Sequence, residues 1–493
     1  MSAPVLPHAA ERWTPRQRLT LALLLTASFT LAVDFSILSV ALPRIGEEIG
    51  LEKAHLQWVA TSFALCAAGF TLLFGRLADL VGCKRLFLIG MAVLGIGSLI
   101  GGLAQEPVLL IAARVLQGLA TAAVTPAALA LLTTSFPEGP QRDKALGLNG
   151  SLMAAGFTAG AIFGGILTDL VSWRWAFLLN VPVAVLVLAL ASGLLKENKG
   201  PRQRLDSLGA VLVTASLLAL VFGMTDAGEY GFGALSAWLP LVVGVVLLVA
   251  FFAVEKRVAS PLVPLPVVRR RAVAWGNVVG ILAFATETSL VFVLTLYLQG
   301  ALGFTPLQAG LTFAVLGIGT VLGGLIAPKV VGAVGLRTAV AGAMVVQAAA
   351  TAALLFIGHD AAVLGLILVA TIVGGVANLV AIVGFMISAT GGILAEDQGL
   401  ATGVANMSTQ VGITLGTPIM AAVLAPSLLL GGAVNLVAGV HVAIAVNAGL
   451  CLLTAVLAAV FLGARDGKPA ESGTSRGSTE EGLSSTEIVR EGA

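Results

Sequence analysis

The chain has 493 residues, of which 58% are hydrophobic and only 11% are Asp, Glu, Lys or Arg, less than half the ~25% charged of an ordinary soluble domain. That is too little charge to cover a soluble protein of this length, and a net charge of +2 without a clustered basic face excludes a nucleic-acid surface. At ~20 apolar residues per crossing, the apolar content fills about fourteen helices, so the composition describes an all-α polytopic membrane protein.

A basic N-terminal tail, 1–18, leads into a first apolar run at 19–42. This run ends at Leu42-Pro43 without a small-residue cleavage site, so it is a first span rather than a signal peptide. Runs at 57–74, 87–104, 108–132, 146–168 and 176–195 complete a six-helix first half, 19–195. Two inserted linker helices follow at 207–223 and 238–254, within 207–254. A second six-helix half, 273–462, holds runs at 273–298, 307–327, 338–357, 362–388, 400–425 and 435–462. From 463 to 493 the chain is rich in Ser, Gly, Glu and Thr and reads as a disordered cytoplasmic tail.

With the N-terminus inside, 23 of the 27 Lys and Arg residues fall in the tails and alternate loops on the inner side. Only Arg44, Lys53 and Arg174 fall outside, and Arg114 lies within a span. Cytoplasmic loops carry the basic excess, so both termini are expected in the cytoplasm. A repeat supports the two halves. Adding 253 to the landmarks of Gly75–Arg85 lands on Pro328, Gly332, Gly335 and Arg337, and takes Asp34 to Glu287. Cys66, Cys83 and Cys451 lack metal-ligand spacing, and the four histidines are scattered, so no metal site is read.

Three ionisable residues sit inside spans: Asp34, Arg114 and Glu287. Each costs at least ~2.5–3.5 kcal/mol at a helix centre and needs a partner, a cavity or a task. At 1.5 Å per residue, Asp34 lies ~12 Å and Arg114 ~9 Å below the outer surface, close enough in level to pair. Glu287 lies ~16 Å down, near the midplane. Asp34 and Arg114 are either a permanent ion pair between helices or a carboxylate that releases its arginine to take a proton. Glu287 has no basic residue at its depth. It is a proton carrier, a site for cationic cargo, or a neutral acid bonded to a hydroxyl such as Thr286 or Ser289. In the fifth span, Gly156, Gly160, Gly164 and Gly165 form a small-residue stripe that lets another helix approach closely and slide.

Several segments together resemble the major facilitator superfamily, in its fourteen-span drug–proton antiporter branch. The loop Gly75–Arg85 is similar to that superfamily's G-x-L-a-D-x-x-G-x-[RK]-[RK] signature, and Arg114-Val-Leu-Gln117-Gly118 to its fourth-span signature. Asp34–Pro43 resembles the branch's first-span motif, the fifth span its antiporter glycine motif, and Trp173–Pro182 its outer loop into the sixth span. Tyr297–Gly303 with Gln308-Ala-Gly310 resembles its ninth-to-tenth junction, and Gly403, Asn406, Gln410, Gly412 and Gly416 its thirteenth-span pattern. Two departures stand out. Ala161 follows Gly160 where proline is usual, which leaves the bend of that span open, and Thr409 stands where arginine is common. One fewer basic residue favours neutral or cationic cargo.

The resemblance implies a major facilitator fold with a central cavity, driven by proton influx and expelling amphiphilic drugs or antibiotics across a bacterial cytoplasmic membrane. It assigns proton coupling to Asp34 and Arg114, and Glu287 is added on its position. Glu287, Tyr297, Gln299, Asn378, Asn406 and Gln410 are expected to line the substrate cavity. Gating is expected from Gly75, Asp79, Gly82, Lys84 and Arg85 and from the four glycines, with Asp79 locking the cytoplasmic face against a second-half helix N-terminus. The expected partners are lipophilic small molecules, protons and membrane lipids, with no nucleic acid, no cofactor beyond the coupling proton, and a monomeric state. A proton-coupled importer of the same fold is the alternative. No nucleotide loop, serine nucleophile motif or metal cluster supports an enzyme or sensor.

Overall fold

A computed structural model describes residues 13–51, 56–136, 140–197, 206–231, 233–258, 270–358, 363–391, 398–430 and 433–462. The expected tail, 463–493, and most of 1–18 lie outside the described residues. Among the described residues the chain is helical, with no strand. The first half comprises α1 (Pro15–Ile49), α2 (Gln57–Val81), α3 (Cys83–Leu103), α4 (Pro107–Ser135), α5 (Pro140–Leu170), the short α6 (Arg174–Leu178) and α7 (Asn180–Leu194). The inserted pair is α8 (Ser207–Tyr230) and α9 (Leu235–Glu255). The second half comprises α10 (Arg271–Gly300), α11 (Pro306–Val334), α12 (Leu336–Ala353), α13 (Leu364–Thr390), α14 (Gln398–Leu430) and α15 (Ala433–Phe461).

Twelve helices are long and apolar enough to cross a membrane among the described residues, against the fourteen expected. In α2 and α5 the apolar stretches are shorter, Trp58–Thr71 and Ala155–Leu170. The first helix is longer than its apolar run, passing through Pro43 to Ile49 and stopping at Gly50 in the left-handed region.

Helix ends follow local chemistry. Thr14-Pro15-Arg16-Gln17 and Thr305-Pro306-Leu307-Gln308 each form a reciprocal capping box with proline at the first helical position. Gly82 (φ 108°) alone links α2 to α3, and Gly335 (φ 82°) alone links α11 to α12. They are 253 residues apart, the offset of the repeat. A Cβ is strained at such angles, so both halves use glycine at the same sharp reversal.

Within the first half, α1 packs against α5 along the glycine stripe. A Cβ on Gly156 would lie 2.9 Å from the Phe29 carbonyl oxygen, and one on Gly160 2.7 Å from that of Val33. One on Gly164 would fall on the carbonyl of Ile37. The stripe is thus a close contact inside one half. The contact with the second half is on an adjacent face of α5, where Gly165 meets Pro306 and Leu307, and Ala161 meets Gly310 of α11.

The halves therefore meet along two seams. The α5–α11 seam is tight at the end that holds Gly165 and Pro306, where Gln299 Nε2 also donates to Val40 O at 2.9 Å. On the other side α2 faces α14, and Thr414 Oγ1 donates to Ala64 O at 2.9 Å. Helix α8 lies across this second seam. Thr214 Oγ1 donates to Gly69 O of α2 at 2.7 Å, and Ala210, Val213 and Leu217 share an apolar cluster with Leu73, Val404 and Val411.

Because the α1–α5 contact is backbone against backbone, a Gly164→Val substitution is expected to lower stability by about 1–3 kcal/mol through overpacking. A thermal unfolding midpoint equal to that of the parent protein would contradict this packing.

Candidate functional site

The two charges that stood alone in apolar sequence are together and dry. Asp34 and Arg114 are each 1% exposed, with Arg114 Nη1 at 3.2 Å from Asp34 Oδ2. Helix α4 also carries Gln117, one turn from Arg114 and on the same face. Its Nε2 donates to Asp34 Oδ1 at 2.8 Å and to Ser98 Oγ of α3 at 2.9 Å. The sixth crossing breaks at Leu179, so α7 begins with Asn180. Asn180 Nδ2 donates to Asp34 Oδ1, and to Ser98 Oγ at 3.2 Å. Around the guanidinium, Nε donates to Val59 O at 3.0 Å and Nη1 to Gln117 Oε1 at 2.8 Å, while Phe63 lies under it at 4.2 Å. Five helices thus converge on one carboxylate.

Arg114 also borders a narrow cleft between the halves. Phe35, Thr61, Phe157, Phe292 and Thr417 line it as well. Aromatic rings interleaved with threonine hydroxyls suit an amphiphilic guest, apolar in bulk with a few polar points. Asp34 sits behind Arg114, so the ion pair separates the cleft from the interior of the first half.

Glu287 is partly exposed, and Val291, one turn further along the same face of α10, lines the cleft. Among the described residues no cation or hydrogen-bond donor engages its carboxyl. The hydroxyls of Thr286 and Ser289 are committed elsewhere, to Ala283 O and Gly416 O, each at 2.9 Å. Among the described residues neither hydroxyl donates to Glu287. Asn406 and Gln410 are partly exposed on α14, one turn apart. Their stripe continues to Ile413 and Thr417, which line the cleft.

Three residues expected in the cavity lie elsewhere. Tyr297 is fully buried in the second-half core, and its hydroxyl donates to Gly358 O at 2.6 Å. Gln299 is spent on the seam with Val40, as described above. Asn378 is 2% exposed and donates to Ala283 O at 3.1 Å, tying α13 to α10. The motif match marked Tyr297 and Gln299, but helix rotation decides which way such residues face.

At the α2–α3 reversal, Gly82 abuts Glu197, just beyond α7. The Glu197 carboxylate accepts from Lys84 N at 3.1 Å and lies 3.7 Å from Arg85 Nε, so it caps the positive end of α3. Lys84 Nζ donates to Ser192 O at 2.7 Å. The loop's basic residues thus bind their own half. Gly75 packs near Pro126 of α4, while the Asp79 side chain lies outside the described residues. Reasoning from sequence missed Ser98 and Glu197, which carry no composition or spacing signal. Gln117 and Asn180 stood inside recognised motifs without a role.

The sequence model of the Major Facilitator Superfamily matches residues 24–417. The cephamycin export protein CmcT of Amycolatopsis lactamdurans is 38% identical over 81% of this chain and 83% of its own length. The puromycin resistance protein pur8 of Streptomyces alboniger is 36% identical over 96% of this chain and 97% of its own. In fold, the chain is similar to the nucleoside transporter NupG, with a TM-score of 0.63 at 14% identity over 89% of this chain and 98% of that one.

Removing one member of the Asp34 shell takes a donor from a buried carboxylate. Asn180→Ala is expected to cost about 1–3 kcal/mol of stability, read as a lowered unfolding midpoint in detergent. A midpoint matching the parent protein would show that Asn180 is not part of the carboxylate's support.

Proposed function

This chain belongs to the Major Facilitator Superfamily, and from that premise we propose that it exports hydrophobic or amphiphilic antibiotics in exchange for protons, by alternating access. The chain is a multi-pass protein of the bacterial inner membrane and a transporter rather than an enzyme. Relatives named for cephamycin export and puromycin resistance support antibiotics as the cargo class. We read fourteen spans with both termini cytoplasmic, since α2 and α5 are as long as their neighbours and 23 of 27 basic residues then lie inside. On that orientation, the tight end of the α5–α11 seam is the outer face, and the molecule is closed to the outside.

One observation carries the coupling: a dry carboxylate held by an arginine that itself borders the cleft. Cargo approaching from the cytoplasm meets Phe35, Phe157 and Phe292 together with the Arg114 side of the pair. A proton arriving at Asp34 removes its charge and weakens the hold on Arg114. The arginine is then free to reorganise the cleft, and release of the proton inside restores the pair. An inward proton falling through ~100 mV yields ~2.3 kcal/mol, enough to sustain roughly a fifty-fold outward gradient of a neutral cargo. Glu287, unpaired beside the cleft, serves cargo that bears a positive charge.

In everted membrane vesicles holding a proton gradient, cargo addition is expected to dissipate the gradient; no response to any lipophilic cation or antibiotic would sink the export reading and leave import of a small solute. Asp34→Asn should insert normally and lose gradient-driven transport completely, and efflux at the parent rate would remove Asp34 from coupling. Glu287→Gln should weaken transport of cationic cargo about tenfold, the loss of ~1.4 kcal/mol, and spare neutral cargo. Equal losses for both would make Glu287 a coupling or structural residue.

A further inference from the structure

The interior of the second half holds a polar cage that the export reading does not use. Thr286 of α10 is at its centre. Its hydroxyl accepts from Gln347 Nε2 of α12 at 3.4 Å and donates to Ala283 O, which also accepts from Asn378 Nδ2 of α13 at 3.1 Å. From α15, Asn447 Nδ2 donates to Thr286 O at 2.9 Å. Thr351 lies one turn from Gln347 on α12. Each of these amide nitrogens has a partner. By contrast, Gln347 Oε1, Asn378 Oδ1 and Thr351 Oγ1 have none, although their residues are 2%, 2% and 1% exposed. Buried oxygens without partners cost about 1–3 kcal/mol each, so three on neighbouring turns of α12 and α13 call for an occupant that coordinates them or donates to them.

The first half shows what such a place holds when it is filled by protein. Thr351 stands 253 residues after Ser98. Asn447 bonds α10 from the last helix of its half as Asn180 bonds α1 from the last helix of the other. There the cation is the guanidinium of Arg114, whereas among the described residues no Lys or Arg bonds the second-half cage. With no carboxylate among its orphan oxygens, the cage does not suit a divalent ion, which favours carboxylate ligands. Amide and hydroxyl oxygens can replace the hydration shell of a monovalent one.

We propose that the second half binds a sodium ion among Gln347, Asn378, Thr351 and Thr286. The ion fills the role that Arg114 plays in the first half, tying α10, α12 and α13 together. Thr286 neighbours Glu287 in the chain, so the ion's field also reaches the unpaired carboxyl beside the cleft.

The test uses the whole purified protein in lipid nanodiscs, without cargo or a proton gradient, so its failure is separate from failure of the export reading. Sodium chloride is titrated against choline chloride at constant ionic strength, and the unfolding midpoint is followed. A saturable rise of about 4 °C is expected with sodium, and its loss in Gln347→Leu. Thr351→Val removes one hydroxyl at nearly constant volume and should raise the half-saturating sodium concentration about tenfold. A midpoint indifferent to sodium, or half-saturation unchanged in Thr351→Val, would overturn the proposal and leave the cage to ordered water.

Discussion

The organising constraint is the cost of keeping a carboxylate and a guanidinium away from water. Asp34 and Arg114 repay their desolvation only if the geometry is good and the remaining lone pairs and N–H groups are matched. The first half meets that condition with Gln117, Asn180, Ser98 and the Val59 carbonyl, drawn from four helices besides α1. Losing one partner of such a pair costs about 3–5 kcal/mol, comparable to what a driving ion delivers across the membrane. A pair in that range can hold one conformation firmly and still be released by a single protonation.

The same demand explains why this half is stiff where it is. The α1–α5 contact runs backbone to backbone over three glycines, and Ser36 Oγ donates across it to Phe157 O at 2.6 Å. This fixes the helix that carries Asp34. On α5 the faces are divided: one side is joined to α1, and the other, with Ala161 and Gly165, packs against Pro306, Leu307 and Gly310 of the second half. A helix bonded to its own half and merely packed against the other is suited to moving with the first and past the second.

Much of this was readable from the sequence, for definite reasons. Charge is so scarce that Asp34, Arg114 and Glu287 declare themselves, and depth counted along the spans put the first two at one level. The repeat was legible because Gly82 and Gly335 answer the same steric demand. Neutral polar partners were not legible. Ser98 resembles any serine in an apolar helix until helix rotation aims it at Asn180, and the break at Leu179 that positions Asn180 has no proline or glycine at it. Tyr297 and Gln299 show the converse limit: a motif marks a position without saying which neighbour it serves.

The inserted helix α8 has a consequence for the route of a membrane-dissolved guest. It bridges α2 and α14 and is bonded to α2 through Thr214. Neither inserted helix packs on the α5–α11 seam among the described residues. A molecule drifting in from the lipid leaflet therefore finds one flank shuttered and the other bare. On the proposed export of oily cargo, the chain resembles a book with a bound spine, and its lateral doorway is one-sided.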